Sequence, residues 1–314
     1  MERIMKVNIL VTGGTGMIGN ALQEVLDKDA IFLSSKECNL TDFNKTMETF
    51  EKYKPSYVIH LAAKVGGIVA NMNYLGDFFR ENILINTNVL EASRQCGVKK
   101  VVSMLSTCIY PDQCKYPLSE TDIHNGPPHY SNYAYAHAKR MLDIQSKAYR
   151  EQYGCNYVTV VPNNLFGKYD NFDLENSHVL PALIRKFYEA SKNNEDVVLW
   201  GTGTPLREFT YSDDLAKLLV FLLENYSEPE PINVGNTQEI SIKDIANMIS
   251  DIIGFKGKTK WDKSRPDGQM RKPSNGVKLV KYGWPQDMFT DHRTALEETC
   301  KWFIDNYPNI RGIK

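Results

Sequence analysis

The run Val7-Asn8-Ile9-Leu10-Val11-Thr12-Gly13-Gly14-Thr15-Gly16-Met17-Ile18-Gly19 decides how the rest of the chain is read. Val7 to Thr12 is an apolar stretch of strand length, and Ala21, Leu22, Val25 and Leu26 beyond it recur at helical spacing. Strand, glycine-rich turn and helix therefore follow one another at once. Gly13, Gly16 and Gly19 fit the spacing G-x-x-G-x-x-G. Such a turn lets backbone N–H groups approach a pyrophosphate, and the helix start adds positive potential. The reading is a dinucleotide-binding βα unit; the plainer alternative is an ordinary tight turn.

Moving outward, strands are expected at about Ala30–Leu33, Pro55–Leu61, Lys99–Leu105 and Asn156–Val161, with helices reaching Lys52, Cys96 and Tyr153 between them. This alternation predicts an α/β fold of Rossmann type, a doubly wound parallel sheet. The second strand ends in Ser34-Ser35-Lys36 rather than in an acid that would accept a ribose 2′-hydroxyl. Two hydroxyls and a cation suit a 2′-phosphate, so NADP is favoured, although Glu37 follows one residue later. His60, inside the third strand, reads as a packed core histidine.

Near Lys168 the character changes. Residues 168–178 are polar and irregular, and helices follow at Leu180–Ala190, Asp213–Glu224, 241–254 and 292–306. Residues 1–167, with 208–235 returning to them, are expected to form the cofactor domain. Residues 168–207 and 236–314 are expected to form a smaller C-terminal α/β substrate domain.

The fourth strand leads into Leu105-Ser106-Thr107-Cys108-Ile109-Tyr110-Pro111, so Ser106 and Cys108 stand at a strand's C-terminal end, where ligands bind in open α/β sheets. Downstream, Tyr133-Ala134-Tyr135-Ala136-His137-Ala138-Lys139 places Tyr135 and Lys139 four apart, on one helix face. A phenol titrates near pH ~10, and a neighbouring ammonium should lower that value. Tyr135 then becomes usable as an acid or base near neutrality, with Ser106 holding a substrate oxygen.

The 37 basic and 38 acidic side chains, with net charge −1, give no excess that would favour nucleic acid or an anionic membrane. No apolar run approaches the ~20 residues of a membrane span, and no leader is evident. The six cysteines (Cys38, Cys96, Cys108, Cys114, Cys155, Cys300) contain no C-x-x-C pair and read as free thiols of a reducing cytoplasm, without a metal site.

The glycine turn, the strand-end Ser106 and Tyr135-x-x-x-Lys139 together resemble the extended short-chain dehydrogenase/reductase family, which works on nucleotide sugars. Longer runs narrow the resemblance. They include Ala62-Ala63-Lys64-Val65-Gly66-Gly67-Ile68-Val69-Ala70-Asn71, His124-Asn125-Gly126-Pro127-Pro128-His129, Asp170-Asn171-Phe172, Asn176-Ser177-His178-Val179-Leu180-Pro181, Trp200-Gly201-Thr202-Gly203 and Arg207-Glu208-Phe209. They are similar to the branch that epimerises GDP-4-keto-6-deoxy-D-mannose at C3 and C5 and then reduces C4 to give GDP-L-fucose.

That resemblance implies NADP(H) at Gly13, Thr15, Gly16, Met17, Ile18, Gly19, Ser35, Lys36, Leu40, Ala62, Ala63, Tyr135, Lys139, Pro162, Asn164, Leu165 and His178. It implies substrate contacts from Ser106, Asn164, Lys186, Trp200, Arg207 and Lys272, and no metal. Ser106, Tyr135 and Lys139 correspond to the reductase triad, Cys108 to the epimerase base and His178 to its acid. The cations around a thiol of ordinary pKa ~8.5 should lower it enough for it to act as a base. Bacterial members carry arginines where this chain has Thr15 and Ser35. A homodimer through the helices at 77–96 and 135–153 is also implied. Two rivals stand beside this reading: a nucleotide-sugar 4-epimerase or 4,6-dehydratase of the same fold, and a non-catalytic NADP-sensing regulator. A dehydratase would want acids after the strand-end Ser, where this chain has Thr107-Cys108, and a sensor would lose Tyr135 or Lys139.

Overall fold

The computed structural model describes residues 8–265 and 267–313. Val7, where the sequence predicts the first strand to begin, lies outside the described residues. The chain opens β1 (Ile9–Thr12), α1 (Met17–Val25), β2 (Ile31–Leu33), α2 (Phe43–Tyr53) and β3 (Tyr57–His60). Then come α3 (Ile68–Asn73), α4 (Leu75–Gln95), β4 (Lys100–Met104), α5 (Tyr133–Tyr153) and β5 (Tyr157–Pro162). β2, β1, β3, β4 and β5 lie side by side in that order, every pairing parallel. β9 (Ile232–Val234) returns from later in the chain to pair in parallel with β5 and complete six strands. Strands of a parallel sheet are covered on both faces and read as continuous apolar runs. All six residues of β5 are accordingly buried.

The chain leaves β1 toward β2 on one side and places β3 on the other. This reversal opens a crevice at the strands' C-terminal ends, the ligand position of such sheets. One face of the sheet packs against α1 and α7 (Ser212–Asn225) through Leu22, Ile59, Leu215 and Leu219. The other packs against α2, α4 and α5 through Phe50, Val58, Leu90 and Leu142.

The second part of the chain builds its own core. α6 (Val179–Asn193), α8 (Ile242–Ile253) and α10 (His292–Asn306) surround Phe166, Phe187, Ile249 and Phe303. Its strands form two small sheets. β8 (Leu206–Tyr211) lies between β6 (Asn164–Phe166) and β10 (Glu239–Ser241), and β7 (Val197–Trp200) pairs with β11 (Thr259–Asp262). α9 (Val277–Lys281) packs near β9. Asp291 begins α10 by accepting from Thr294 N at 3.0 Å, the side-chain cap a helix start needs. Segment 164–166, for which no strand is expected from the sequence, pairs with β8 and ties the two parts together.

Candidate functional site

Gly13 adopts φ +72°, and a Cβ there would lie 2.9 Å from Ala62 N. One on Gly19 would lie 2.5 Å from the Gly14 carbonyl. The turn thus brings β1, β3 and α1 together with no room for side chains. Gly16 starts α1 with no side-chain cap and no acid in the first turn, so the helix's N–H groups stay open to an anion. These features fit a dinucleotide. Thr15 is exposed, Met17 is half-buried and Ile18 anchors the helix in the core. Ala62 and Ala63 line the end of β3, with Ala62 N donating to Thr12 Oγ1 at 3.2 Å.

His60 sits behind them, its Nδ1 2.8 Å from Thr12 Oγ1 and its Nε2 3.1 Å from Asn86 Oδ1. Burial first, and then the charge of Lys139, push its pKa down to about 3. It is a neutral brace in the core, as the sequence indicates. At the end of β2 the Glu37 carboxylate turns back and accepts from Ser34 N at 2.8 Å and Ser34 Oγ at 2.7 Å. Those bonds lower its pKa and use its acceptors locally, leaving Ser35 and Lys36 exposed beside it. The Leu40 side chain is 7% exposed and packs in the core behind this surface.

Ser106 lies just beyond β4 in extended backbone and opens a short 3-10 turn, Thr107–Ile109, that carries Cys108. The Ser106 Oγ accepts from Cys108 N at 3.4 Å. From α5, Lys139 reaches the same strand end, donating from Nζ to Met104 O at 2.8 Å. Its Nζ is 6.0 Å from the centre of the Tyr135 ring. Phe78 of α4 meets that ring edge-on at 6.4 Å. Ser106, Cys108, Tyr135 and Lys139 are therefore gathered at one strand end.

The protonation directions correct the sequence expectation. Burial raises Tyr135 above its ordinary value, and the ammonium does not reverse this. Burial also lowers Lys139 to about 8. Cys108 is likewise raised by burial, although the hydrogen bond with Ser106 and the fields of Lys272 and Lys139 pull it the other way. The resting site thus holds a neutral phenol and a neutral thiol. Local charge pairing was readable from spacing, whereas desolvation depends on the fold.

The opposite wall comes from later in the chain. His178 begins α6, and no hydrogen bond fixes its ring among the described residues. Its surface is exposed, yet the protein crowded around the ring disfavours its charge and lowers its pKa, which keeps it neutral. Its loop borders the glycine-rich segment after β3, since a Cβ on Gly67 would stand 3.5 Å from Asn176 O. Trp200 is 65% exposed, with Lys186 Nζ 5.9 Å and the Arg265 guanidinium 5.0 Å from its ring centre. Arg207 and Lys272 are both half-buried. Burial lowers the pKa of both, and the charge of Arg207 adds to the lowering at Lys272. Two half-buried cations on this wall suit an anionic ligand. Pro162 is buried, Leu165 packs against the first core, and Asn164 is exposed with its Nδ2 donating to Glu208 O at 2.8 Å.

Several site residues escape sequence reading. Arg265 was one basic residue among many until the fold put it over Trp200. Asp267 accepts from Thr202 N at 2.9 Å and Thr202 Oγ1 at 2.8 Å, shaping the turn below that indole. Arg140, beside Lys139, donates from Nε to Ile109 O and from Nη1 to Gly126 O, each at 2.7 Å, and so fixes the Cys108 turn.

Residues 9–235 match the NAD dependent epimerase/dehydratase family. The chain is 48% identical over 318 residues to GDP-L-fucose synthase of Dictyostelium discoideum, covering 99% of both. The crystal structure of a GDP-L-fucose synthetase from Naegleria fowleri bound to NADP superposes with TM-score 0.94 at 42% identity, over 99% of this chain and 96% of that one. A GDP-6-OMe-4-keto-L-xylo-heptose reductase from C. jejuni superposes with TM-score 0.88 at 30% identity, over 96% and 99%.

Proposed function

The chain belongs to the NAD dependent epimerase/dehydratase family, and from that membership we propose how its site converts GDP-4-keto-6-deoxy-D-mannose to GDP-L-fucose. The enzyme is an epimerase and reductase that uses NADPH. The observation that carries the residue assignment is the strand-end cluster. Groups suited to ring epimerisation and to carbonyl reduction converge on the turn after β4.

The 4-keto group acidifies C3 and C5 of the sugar. Cys108 removes a proton from one face, and His178 returns one from the other. In the resting site the thiol is protonated and the imidazole neutral, because partial desolvation raises one and lowers the other. The working pair, thiolate with imidazolium, is therefore the minor protonation state near neutrality. Lys272 and Lys139 favour the thiolate side of that balance.

Ser106 orients the C4 oxygen. NADPH supplies the hydride to C4. Tyr135 then gives its phenolic proton to the oxygen, and its raised pKa keeps that proton in place beforehand. Lys139, held by Met104 O, stabilises the phenolate left behind. Arg207 and Lys272 grip the diphosphate, and Trp200 with Lys186 forms the outer substrate wall. The 2′-phosphate of NADP is received at Ser35 and Lys36, with Glu37 withdrawn onto Ser34.

Residues 1–167 with 208–235 hold the cofactor and 168–207 and 236–314 hold the sugar nucleotide, with β6 and β8 joining the two in a small sheet of their own. Exposed Phe79, Tyr133, Met141, Ile144 and Tyr153 on α4 and α5 suit burial in a homodimer through those helices. Among the described residues no helix is long and apolar enough to cross a membrane. A cytoplasmic location fits the free thiols.

The test is NADPH oxidation with the GDP-linked keto-sugar and with its UDP-linked analogue. Rapid oxidation is expected with the first alone. Equal rates would sink the GDP assignment, and no oxidation with either would sink the reductase.

A further inference from the structure

Glu208 lies in the middle of β8, 2% exposed, between Arg207 and the core residue Phe209. Arg207 precedes it and faces the other side of the strand. Burying a carboxylate is costly unless donors replace its water. Here three donors do so. Ser274 N donates to Oε1 at 3.0 Å, Ser274 Oγ donates to Oε2, and Asn163 Nδ2 donates to Oε2 at 3.3 Å. No cation is among the groups that hold it, and burial remains the dominant influence on its protonation.

Those donors come from two different walls of the site. Asn163 belongs to the segment leaving β5, next to Pro162, Asn164 and Leu165. It is fixed further by Thr210 Oγ1, which donates to its Oδ1 at 2.6 Å, and by its own Nδ2 bond to Asn236 O at 2.9 Å. Asn164 adds a bond to the Glu208 backbone carbonyl at 2.8 Å. Ser274 stands two residues after Lys272. Its segment is pinned on its far side, where Leu118 N donates to Pro273 O at 2.8 Å and Asn275 N donates to Leu118 O at 2.9 Å. One carboxylate therefore ties the strand bearing Arg207, the strap bearing Lys272 and the segment bearing Asn164.

We propose that Glu208 is a positioning residue that holds Lys272 and Arg207 at a fixed spacing from the Pro162–Leu165 segment and thereby sets the diphosphate grip. The proposal rests on the reading of Lys272 and Arg207 as diphosphate ligands. Glu208 itself touches neither sugar nor cofactor. Glu208→Gln keeps shape and volume but turns an amide donor toward Ser274 Oγ or Asn163 Nδ2, so one side of the clamp opens. Ser274→Ala removes one bond from the other side and leaves the backbone bond in place.

The experiment is steady-state kinetics of the full-length enzyme with the GDP-linked keto-sugar, with NADPH affinity and Tm measured in parallel. Loss of a hydrogen bond to a charged group predicts that Glu208→Gln raises KM for the sugar nucleotide about 10-fold or more, with kcat changed by less than about 3-fold. NADPH affinity should stay within about 2-fold. Ser274→Ala should raise KM less. Adding it to Glu208→Gln should bring no further rise, because both variants break one clamp. Glu208→Asp, which keeps the charge, should recover part of the affinity. Lys272→Met is the control for the underlying reading. If it raises KM while Glu208→Gln and Ser274→Ala do not, the clamp is refuted and the diphosphate reading stands. If Lys272→Met leaves KM unchanged, the diphosphate reading fails and the clamp's purpose fails with it. Additive effects of the two clamp variants, or losses in kcat that merely follow Tm, would also overturn the proposal. If Glu208→Gln does not fold, Ser274→Ala decides the matter alone.

Discussion

Lys139→Met should slow reduction by about 10²-fold or more without destabilising the protein. Lys139 is 2% exposed and its pKa falls from 10.5 to about 8, chiefly because burial disfavours its charge. That lowering corresponds to roughly 3 kcal/mol of stability forfeited at neutral pH. Methionine fills a similar volume and carries no charge, so it removes that cost. It also deprives Met104 O of the Nζ donor, and an unpaired buried carbonyl costs about 1–3 kcal/mol. The net expectation is a variant equal to the wild type or more stable by up to about 2 kcal/mol at pH 7. The pH dependence gives the sign check. Between the folded value of about 8 and the unfolded 10.5, the unfolded chain binds the extra proton, so wild-type stability rises with pH through that window. The advantage of the variant should shrink over the same window. Urea denaturation of both proteins from pH 7 to pH 10 measures the difference, which cancels other titrating groups such as Lys100. NADPH turnover should meanwhile fall by about 10²-fold or more, for want of the charge that stabilises the phenolate. A variant less stable by more than about 1 kcal/mol at pH 7, or a difference independent of pH, would refute the desolvation argument.

The other expectations are simpler. Tyr135→Phe keeps the ring against Phe78 but loses the proton donor, and turnover should drop about 10²–10⁴-fold while NADPH titration is unchanged; near-normal turnover would mean that the acid is another group. Cys108→Ser should stop ring exchange but permit slow reduction of the unepimerised sugar, giving a D-configured 6-deoxy product by NMR; a normal L-configured product would clear Cys108 of the role. NADPH should bind more tightly than NADH, because Ser35 and Lys36 are exposed and Glu37 is occupied by Ser34; equal affinities in a direct titration would remove the 2′-phosphate argument.

The parts of this molecule legible in the sequence are those set by local pattern. The glycine spacing fixed β1, the turn and α1, and the final helix was readable at 292–306 because Asp291 caps an amphipathic run. Ser106, Tyr135 and Lys139 were readable because a strand end and one helical turn bring them together. What stayed hidden depends on distant partners. Asn164–Phe166 is three residues long and is a strand only because β8 lies beside it. Segment 68–73, for which no helix is expected from the sequence, forms α3 after Gly67. Glu208 looks like one acid of 38 until the fold removes its water and supplies Ser274 and Asn163. The directions at Tyr135 and Cys108 ran against expectation for the same reason. At Cys108 burial outweighs the nearby lysines, and at Tyr135 burial and then the charge of Cys108 both act upward.

One labelling experiment bears on the whole account. The protein is incubated in D₂O with NADPH and GDP-4-keto-6-deoxy-D-mannose, and the sugar product is analysed by mass spectrometry and NMR. Epimerisation followed by reduction predicts deuterium at both C3 and C5, an L-configured 6-deoxy sugar and one NADPH consumed per product. NADPH consumption without ring deuterium would instead describe a 4-keto reductase alone and would contradict the roles given to Cys108 and His178.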